Sequence, residues 1–374
     1  MTELLAGRVA IGGRIDRGWV AIDGEAIEGV GWGEPAHAPD SEAAGVLAPG
    51  LCDLQVNGAA GHEVTAGEEA MTAIESALVQ RGVTRFLATV TTLPDDRAAT
   101  AMTSLARRAA DPAAPVAGIH LEGPFLSPLH PGVHPPELLR APADGIPAYY
   151  EDPAVRLVTL APELPGALDL IERLSARGVT VALGHTGADA DTMARAAERG
   201  ARMVTHVFNA MAPLHHRSPG PAGAALVDDR LAVGVIADGH HVDGRVLELI
   251  RRAAGDRVVL VSDASAAAAA PPGSYMLSGR PIVSGQDGVV RDEDGRLAGS
   301  AALLDEILPR WLALTGASLA DAIAAATERP AAIAGCSAAL VPGAPADLVE
   351  VADDGRVLRV MRAGRWLTRT PARR

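Results

Sequence analysis

Eight short apolar runs of strand-like composition alternate with helical patterns through the middle of this 374-residue chain. In order they read LCDLQV, TRFLATVTT, VAGIHLE, RLVTLAPE, VTVALGH, RMVTHVF, AVGVIAD and RVVLVSD. Eight strand–helix alternations over about 250 residues are the proportions of a (β/α)8 TIM barrel. A doubly wound open sheet is the structural alternative, but it would place its site at one switch point in the strand order. The pattern therefore predicts an α/β fold built around a barrel.

Four of these runs carry, at or near their end, a side chain that can bind a divalent metal or move a proton. The third, fifth and eighth runs end in Glu122, His185 and Asp263, and His206 lies two residues before the end of the sixth. One such residue would mean little, because a His or Glu that closes a strand is usually an ordinary loop contact. Since the carboxyl ends of barrel strands meet at one rim, four of them in order predict a single metal site there.

The four side chains have different chemistry. Two imidazoles and a carboxylate, from His185, His206 and Glu122, suit zinc or iron(II) and leave coordination positions open, as catalytic sites do. We expect one divalent cation per subunit, with zinc first and iron(II), manganese or cobalt as alternatives. Asp263 faces the same mouth, where a carboxylate can take a proton from water and pass it to a leaving group. An N-cap for the next segment is the alternative role for Asp263.

The first strand places polar side chains on the same rim. Gln55 and Asn57 alternate along it and would face the mouth at ligand spacing. Because amides are weak metal ligands, we do not expect a second metal at this possible first-strand pocket. His120 alternates with Glu122, and either lines the site or satisfies a core hydrogen bond.

Loops at the carboxyl rim of a barrel carry its substrate contacts. After the third strand, His134 stands between glycine and proline residues that restrict its backbone. After the sixth and seventh strands come NAMAPLHHRSPGPAG, with Asn209 and Arg217, and ADGHHVDG, with His241. One arginine and one histidine at the mouth would hold an anionic group. Each is equally typical of a solvated loop.

The ends of the chain differ from its middle. Both consist of short β-type runs punctuated by glycine, which predicts one small β-domain from residues 1–48 and 341–374. The catalytic barrel would then occupy residues 49–340. After Asp263, the run AAAAAPPGSYMLSGRPIV is either a loop over the barrel mouth or low-complexity filler.

Composition limits the partners and the chemistry. A net charge of −13 disfavours nucleic acid and anionic membranes as partners. All 33 basic residues are arginine, which excludes Schiff-base chemistry and a lysine-derived metal bridge. Cys52 and Cys336 are expected to be buried free thiols. With no signal-peptide pattern and no apolar window of about 18 residues, a cytoplasmic protein is expected.

The middle of the chain carries six motifs in a fixed order after APGLCDLQVNG: IHLEGPF, LGHTGAD, THVFNAM, ADGHHVD, LVSDA and LAGS. Over about residues 47–305 they resemble the N-acetylglucosamine-6-phosphate deacetylases of the amidohydrolase superfamily. The resemblance implies a (β/α)8 barrel with a small β-sandwich domain. It also implies hydrolysis of the acetamide of N-acetyl-D-glucosamine 6-phosphate to D-glucosamine 6-phosphate and acetate.

The resemblance also implies a role for each site residue. The metal ligands would be Glu122, His185 and His206, with Asp263 as the general acid/base. His134 would bind and polarise the acetamide carbonyl. The sugar phosphate would be held by Asn209, the backbone of Ala210, His241 and Arg217. In the family this arginine reaches into the neighbouring subunit's site, which implies a homodimer.

One departure from the wider superfamily bears on the number of metal ions. Most amidohydrolases carry His-x-His on the first strand, whereas this chain has Gln55 and Asn57, as the single-metal members do. Two other functions stay open. One is hydrolysis of another N-acyl substrate, such as N-acetylgalactosamine 6-phosphate or an N-acyl amino acid. The other is a non-catalytic scaffold that binds sugar phosphates.

Overall fold

The structure is a computed structural model that describes residues 2–367. Its strands are, in chain order, β1 (Thr2–Ile11), β2 (Arg14–Asp23), β3 (Ala26–Trp32), β4 (Ser41–Pro49), β5 (Leu51–Val56), β6 (Gly58–Ala59), β7 (His62–Glu63), β8 (Val83–Val90), β9 (Val116–Glu122), β10 (Val155–Leu160), β11 (Thr180–Leu183), β12 (Ala201–Val204), β13 (Ala232–Val235), β14 (Val258–Leu260), β15 (Gly273–Leu277), β16 (Arg280–Ser284), β17 (Val290–Asp292), β18 (Leu348–Val351), β19 (Val357–Arg362) and β20 (Arg365–Trp366).

The α-helices of this part of the chain are α1 (Glu68–Gln80), α2 (Asp95–Ala109), α3 (Ala167–Ala176), α4 (Ala190–Glu198), α5 (Gly220–Val227), α6 (Gly244–Ala254), α7 (Leu304–Thr315), α8 (Leu319–Ala326) and α9 (Glu328–Ala334). Single-turn 3₁₀ helices cover Val64–Ala66, Pro136–Leu138, Pro142–Asp144, Ala148–Glu151 and Gly255–Arg257. Among the described residues, no helix is both long and apolar enough to cross a bilayer.

Local signals explain where the barrel helices begin and end. Helix α4 begins after Asp189, whose carboxylate accepts a hydrogen bond from the N–H of Thr192 and so satisfies one free donor of the first turn. Helices α3 and α4 each end in an arginine followed by glycine, with Gly178 at φ 78° and Gly200 at φ 110°. Only glycine adopts such angles without strain, so the chain can turn there into the next strand.

Strand β5 and strands β8 to β14 form one eight-stranded parallel sheet. The strands lie side by side in the order in which they occur along the chain: β5, β8, β9, β10, β11, β12, β13 and β14. This is the strand order of a (β/α)8 barrel. An α-helix lies between most successive strands, whereas β9 and β10 are joined by a segment with three 3₁₀ helices. The predicted fold is confirmed, and the carboxyl ends of all eight strands meet at one rim.

The barrel closes between β14 and β5 through a single bridge and through side chains. Val56 forms a parallel bridge with Ala264. The carboxylate of Asp53 accepts a hydrogen bond from the N–H of Ser262 at 3.2 Å, and the Ser262 hydroxyl donates to the carbonyl of Gln55 at 3.3 Å. The first and eighth strands, which carry site residues, are therefore fixed to each other at their carboxyl ends.

The two ends of the chain build a second sheet, as the sequence predicts. Its order is β20-β19-β18-β4-β1-β2-β3, so strands from the carboxyl end pair directly with strands from the amino end. The joining pair is antiparallel, with Val349 opposite Ala48 and Leu348 opposite Pro49. A separate apolar core that includes Leu5 and Leu348 lies against this sheet. The domain boundaries at 48/49 and 340/341 stay a prediction.

The segment after the eighth strand is more ordered than the sequence suggests. It forms an antiparallel three-stranded sheet, β15-β16-β17, in place of the expected loop or filler. Leu277 and Ile282 of this sheet pack with Val290 and Ala298 in a small core of their own. Alternating apolar residues such as Tyr275 and Leu277 were the available signal, but the preceding run of alanines and prolines obscured it.

The two cysteines belong to one apolar cluster, which also contains Leu54, Leu87 and Ala331. Cys52 lies in β5 and is buried, whereas Cys336 follows α9 and is half-buried against the same cluster. Both are free thiols. Burial was therefore predicted correctly for Cys52 and only partly for Cys336.

Candidate metal centre and active-site pocket

Three predicted ligands meet at the carboxyl rim. Glu122 Oε1 lies 3.2 Å from His206 Nε2 and 3.4 Å from His185 Nε2, and the two imidazole nitrogens are 3.2 Å apart. All three side chains are buried. Ligand atoms about 2.1 Å from a tetrahedral cation lie roughly 3.4 Å from one another. The three residues therefore fit a shared divalent cation.

Hydrogen bonds prepare these groups as ligands. The Nδ1–H of His185 donates to the carbonyl of His130 at 3.0 Å, which leaves the Nε2 lone pair directed at the cluster. Burial alone would raise the pKa of Glu122, but the adjacent imidazoles of His185 and His206 hold that pKa well below its usual range. Glu122 is thus a carboxylate, the form that binds a metal.

Several site residues adopt left-handed backbone angles. The φ values are 49° for His185, 28° for His206, 49° for Ala210 and 49° for Asp263. Such angles are uncommon for residues other than glycine and persist only where the surroundings enforce them. Each of these residues lies just beyond a barrel strand, where the turned backbone directs side chains or amides into the mouth.

Glu163 supports the strained backbone at His185. Its carboxylate accepts from the Thr186 hydroxyl at 2.5 Å and from the N–H of Gly187 at 2.8 Å. The N–H of Thr186 in turn donates to the carbonyl of Ala210 at 3.2 Å, which joins the loops after the fifth and sixth strands. Sequence reasoning missed Glu163, although it closes the fourth apolar run, TLAPE, just as the selected residues close theirs.

The first-strand amides contact the two carboxylates of the site. Gln55 Nε2 donates to Glu122 Oε1 at 3.1 Å, and Asn57 Nδ2 donates to Asp263 Oδ1 at 2.7 Å. Asn57 lines the pocket, and Gln55 lies behind Glu122. Each amide therefore fixes the orientation of a charged partner.

Asp263 has a carboxyl group that can both gain and lose a proton near neutrality. Burial, together with the nearby charge of Glu122, raises the pKa of Asp263 to about 6. Its carbonyl accepts from the N–H of Ser300 at 2.8 Å, which anchors the strained residue. The carboxyl pKa lies in the range that suits a general acid/base.

His134 is neutral and has a fixed tautomer. Burial lowers the pKa of His134 to about 3. The N–H and hydroxyl of Thr92 lie 3.3 Å and 2.8 Å from its Nδ1, so Nδ1 is the acceptor and Nε2 carries the proton. Nε2 lies 3.9 Å from Glu122 Oε2, beside the ligand cluster. It therefore offers a hydrogen-bond donor next to the metal position.

His120 belongs to the core of the barrel. Its Nδ1 donates to the carbonyl of Leu54 at 3.1 Å, and its Nε2 lies 2.7 Å from the hydroxyl of Thr159. Burial lowers the pKa of His120 to about 4, so the ring is neutral. Of the two roles that the sequence left open, the structure supports the core hydrogen bond.

One pocket of about 290 Å³ lies at this rim. Of the predicted site residues it contains Asn57, Glu122, His134, His185, His206, Asn209, Ala210, His241 and Asp263. Pocket residues that sequence reasoning did not select include Thr91, Val133, Ile236, Leu277, Arg296 and Leu297. The last three come from the unexpected β15–β17 sheet or the turn that follows it.

His241 and Arg217 have different surroundings. Asp238 Oδ2 accepts from His241 Nδ1 at 2.7 Å, so the imidazole is held in place at the pocket wall. Burial opposes the charge on Asp238, but the His241 contacts lower the Asp238 pKa to about 2. Arg217 is exposed and lies outside the pocket, where its guanidinium is 2.8 Å from His216 Nε2.

The chain is similar to known proteins over most of its length. The amidohydrolase family model matches residues 46–367. The chain belongs to the amidohydrolase family. An N-acetylgalactosamine-6-phosphate deacetylase of Escherichia coli O157:H7 is 37% identical over 316 residues, which are 81% of this chain and 83% of the relative. An N-acetylglucosamine-6-phosphate deacetylase of Danio rerio is 36% identical over 334 residues, 84% of this chain and 82% of the relative.

A solved amidohydrolase structure has the same overall fold. It is an aspartate-to-alanine variant of N-acetyl-D-glucosamine-6-phosphate deacetylase from Mycobacterium smegmatis, in complex with N-acetyl-D-glucosamine-6-phosphate. It is 35% identical, with a TM-score of 0.91 over 98% of this chain and 99% of that chain.

Replacement of Glu163 tests the support for His185. We expect Glu163→Ala to raise the dissociation constant for a divalent cation by about tenfold, because loss of supporting hydrogen bonds typically weakens metal sites by 10–100-fold. Glu163→Gln, which keeps one acceptor oxygen, should be intermediate. Chelator competition measures the constant, and Glu172→Ala, which removes a surface glutamate paired with Arg199, is the matched control. An unchanged constant in Glu163→Ala would refute the role.

Proposed function

We propose that this amidohydrolase hydrolyses the acetamide of N-acetyl-D-glucosamine 6-phosphate to D-glucosamine 6-phosphate and acetate. The observation that carries the proposal is one pocket that holds Glu122, His185 and His206 within 3.4 Å of one another, with Asp263 in its wall. Relatives that carry this activity in their names match more than four-fifths of the chain.

The three ligands would hold one divalent cation per subunit, and zinc is the metal that we propose first. A cation there would supply a Lewis acid that acidifies water and polarises a carbonyl group. Gln55 and Asn57 support a single cation, because amides are weak metal ligands compared with the imidazoles that a second cation would need. The chain also has no lysine to bridge a second cation.

The remaining steps belong to side chains of the pocket. His134 donates its Nε2–H to the acetamide oxygen, which stabilises the charge that develops there. Asp263 accepts a proton from water as the water oxygen bonds to the carbonyl carbon. Protonated Asp263 then gives that proton to the nitrogen as the C–N bond breaks. Acetate and the free amine are released, and Asp263 returns to its ionised form.

The phosphate would bind at the outer part of the pocket. The carbonyl of Ala210 accepts from Thr186, whereas its N–H has no acceptor among residues 2–367 and is free to donate. Asn209 and His241 line the same wall. Arg217 lies outside the pocket of its own subunit, so we propose that it contributes to the site of a partner in a homodimer.

The net charge of the chain and the chemistry of the substrate indicate the partners and the cellular location of this enzyme. The net charge of −13 disfavours a nucleic-acid or membrane partner. A phosphorylated sugar as substrate suits a cytoplasmic enzyme, and we propose that location. A scaffold that only binds sugar phosphates is disfavoured, because it would not need Asp263 beside a metal cluster.

The N-acetylgalactosamine epimer is a second candidate substrate. The specific observation is the 37% identity to the Escherichia coli O157:H7 deacetylase named for that epimer. The two sugars differ only in the orientation of one hydroxyl group, and both present the same acetamide and phosphate.

Acetate release tests the proposed function. Metal-analysed protein should contain one divalent cation per chain and release acetate from N-acetylglucosamine 6-phosphate. The unphosphorylated sugar should react far more slowly, because it lacks the anion that the pocket rim binds. The galacto epimer is measured in parallel. Absence of acetate with every phosphorylated sugar would overturn the proposal, and equal rates with and without phosphate would overturn the phosphate site.

Replacement of Asp263 tests the proton carrier. We expect Asp263→Asn to keep its metal and lower kcat by roughly 10²–10⁴, because the amide can neither accept nor donate the transferred proton. Wild-type activity should also fall as the pH drops below about 6, where the carboxylate becomes protonated. Near-normal turnover in a metal-loaded variant would contradict the assignment.

Mixed dimers test whether Arg217 acts on the partner subunit. Arg217→Ala and Asp263→Asn proteins should each be weakly active alone. If the arginine acts across the interface, subunit exchange creates a site that has both Asp263 and a neighbour's intact Arg217, so activity should rise well above the sum of the two. Activity no greater than the sum, in a mixture shown to contain heterodimers, would exclude that role.

A further inference from the structure

Asn57 has a backbone position that its neighbours fix on both sides. Its N–H donates to the carbonyl of Ala264 at 2.8 Å, and its carbonyl accepts from the N–H of Val64 at 2.9 Å. Ala264 directly follows Asp263, so the backbone of the first strand is attached to the segment that carries the general acid/base. Asn57 and Asp263 are therefore held beside each other by the main chain as well as by their side chains.

The next residue shows how tightly this corner is packed. A Cβ atom at Gly58 would lie 2.2 Å from the carbonyl oxygen of His62 and 3.0 Å from the backbone nitrogen of Ala266. Only glycine fits there. The chain after Asn57 thus has little freedom to move, and the Asn57 side chain stays in one place.

The orientation of the Asn57 amide follows from its partner. Nδ2 lies 2.7 Å from Asp263 Oδ1, and an ionised carboxylate can only accept a hydrogen bond. The nitrogen must therefore face Asp263, and Oδ1 faces elsewhere. Asn57 is 4% exposed and lines the pocket, and its Oδ1 has no hydrogen-bond partner among the described residues 2–367.

A buried acceptor without a partner requires a physical explanation, because leaving it unsatisfied costs about 1–3 kcal/mol. We propose that Asn57 Oδ1 accepts a hydrogen bond from the N–H of the scissile amide. This inference rests on the proposed function. Asp263 must reach the amide nitrogen in order to protonate it, and Asn57 is bonded to that same carboxylate. The N–H is also the one donor that an acetamide possesses.

The contact gives Asn57 a catalytic role. As the carbonyl carbon becomes tetrahedral, the nitrogen changes from planar to pyramidal and gains a basic lone pair. Holding the N–H at Asn57 turns that lone pair towards protonated Asp263, where the proton is needed. The same contact favours secondary amides over acetate esters, which have no N–H to donate.

A matched pair of substrates tests this role. The amide is N-acetylglucosamine 6-phosphate, and the ester is glucose 6-phosphate acetylated on its 2-hydroxyl, so the two differ at the leaving atom. We expect Asn57→Ala to reduce kcat/KM for the amide at least tenfold more than for the ester, because only the amide loses a hydrogen bond. An equal loss on both substrates would show that Asn57 acts only through Asp263.

Asn57→Asp provides the complementary variant. It keeps an acceptor oxygen for the N–H but places a second carboxylate against Asp263, so both substrates should slow by similar factors. A selective loss on the amide in this variant would contradict the proposal. Metal content and Tm of each variant, compared with wild type, separate a catalytic effect from misfolding.

The wild-type activities distinguish a wrong role for Asn57 from a wrong proposed function. If the wild-type enzyme releases acetate from the amide and the Asn57→Ala ratio is unchanged, only the role of Asn57 is wrong. If the wild-type enzyme releases acetate from the ester alone, the proposed amidohydrolysis is wrong, and the inference fails with it.

Discussion

The buried negative charge of Glu122 is the interaction on which the rest of the site depends. A carboxylate inside a barrel is costly unless it is paired and hydrogen-bonded. Here His185, His206 and the amide of Gln55 surround one of its oxygens within 3.4 Å. The same crowding that keeps Glu122 ionised sets the spacing of the ligand atoms, so the stability of the anion and the fit for a cation have one cause.

Backbone strain is the means by which the barrel brings these groups together. Residues in regular strands alternate between the interior and the helical layer, and that alternation alone would not direct all the required groups at one point. Left-handed angles at His185, His206 and Asp263 redirect the chain at the strand ends. Glu163 and Ser300 accept or donate the hydrogen bonds that hold two of these turns. The supporting contacts therefore lie outside the pocket, on the loops that surround it.

The sequence predicts the parts of this protein that repeat or that carry a distinctive chemical group. Eight apolar runs predict the barrel, and strand-ending residues such as His185 and Asp263 predict the rim site. Other parts have no such signal. Glu163 acts through hydrogen bonds to its neighbours, and the β15–β17 sheet follows an alanine-rich run that resembles filler. The role proposed for Arg217 depends on a second subunit, which a pattern within one chain does not specify.

The first barrel strand contacts both carboxylates of the pocket, the ligand Glu122 and the proton carrier Asp263. Glu122 lies against two imidazoles, accepts a hydrogen bond from the amide of Gln55 and stays ionised. Asp263 is buried near that negative charge, and its pKa rises to about 6. Gln55 and Asn57 each donate to one of the pair. Both amides bond to the carboxylates directly, without water or a cation between them. The first strand thus orients the ligand Glu122 and the proton carrier Asp263 through two separate hydrogen bonds. Because the amide donors are neutral, they orient both carboxylates without adding charge to the site.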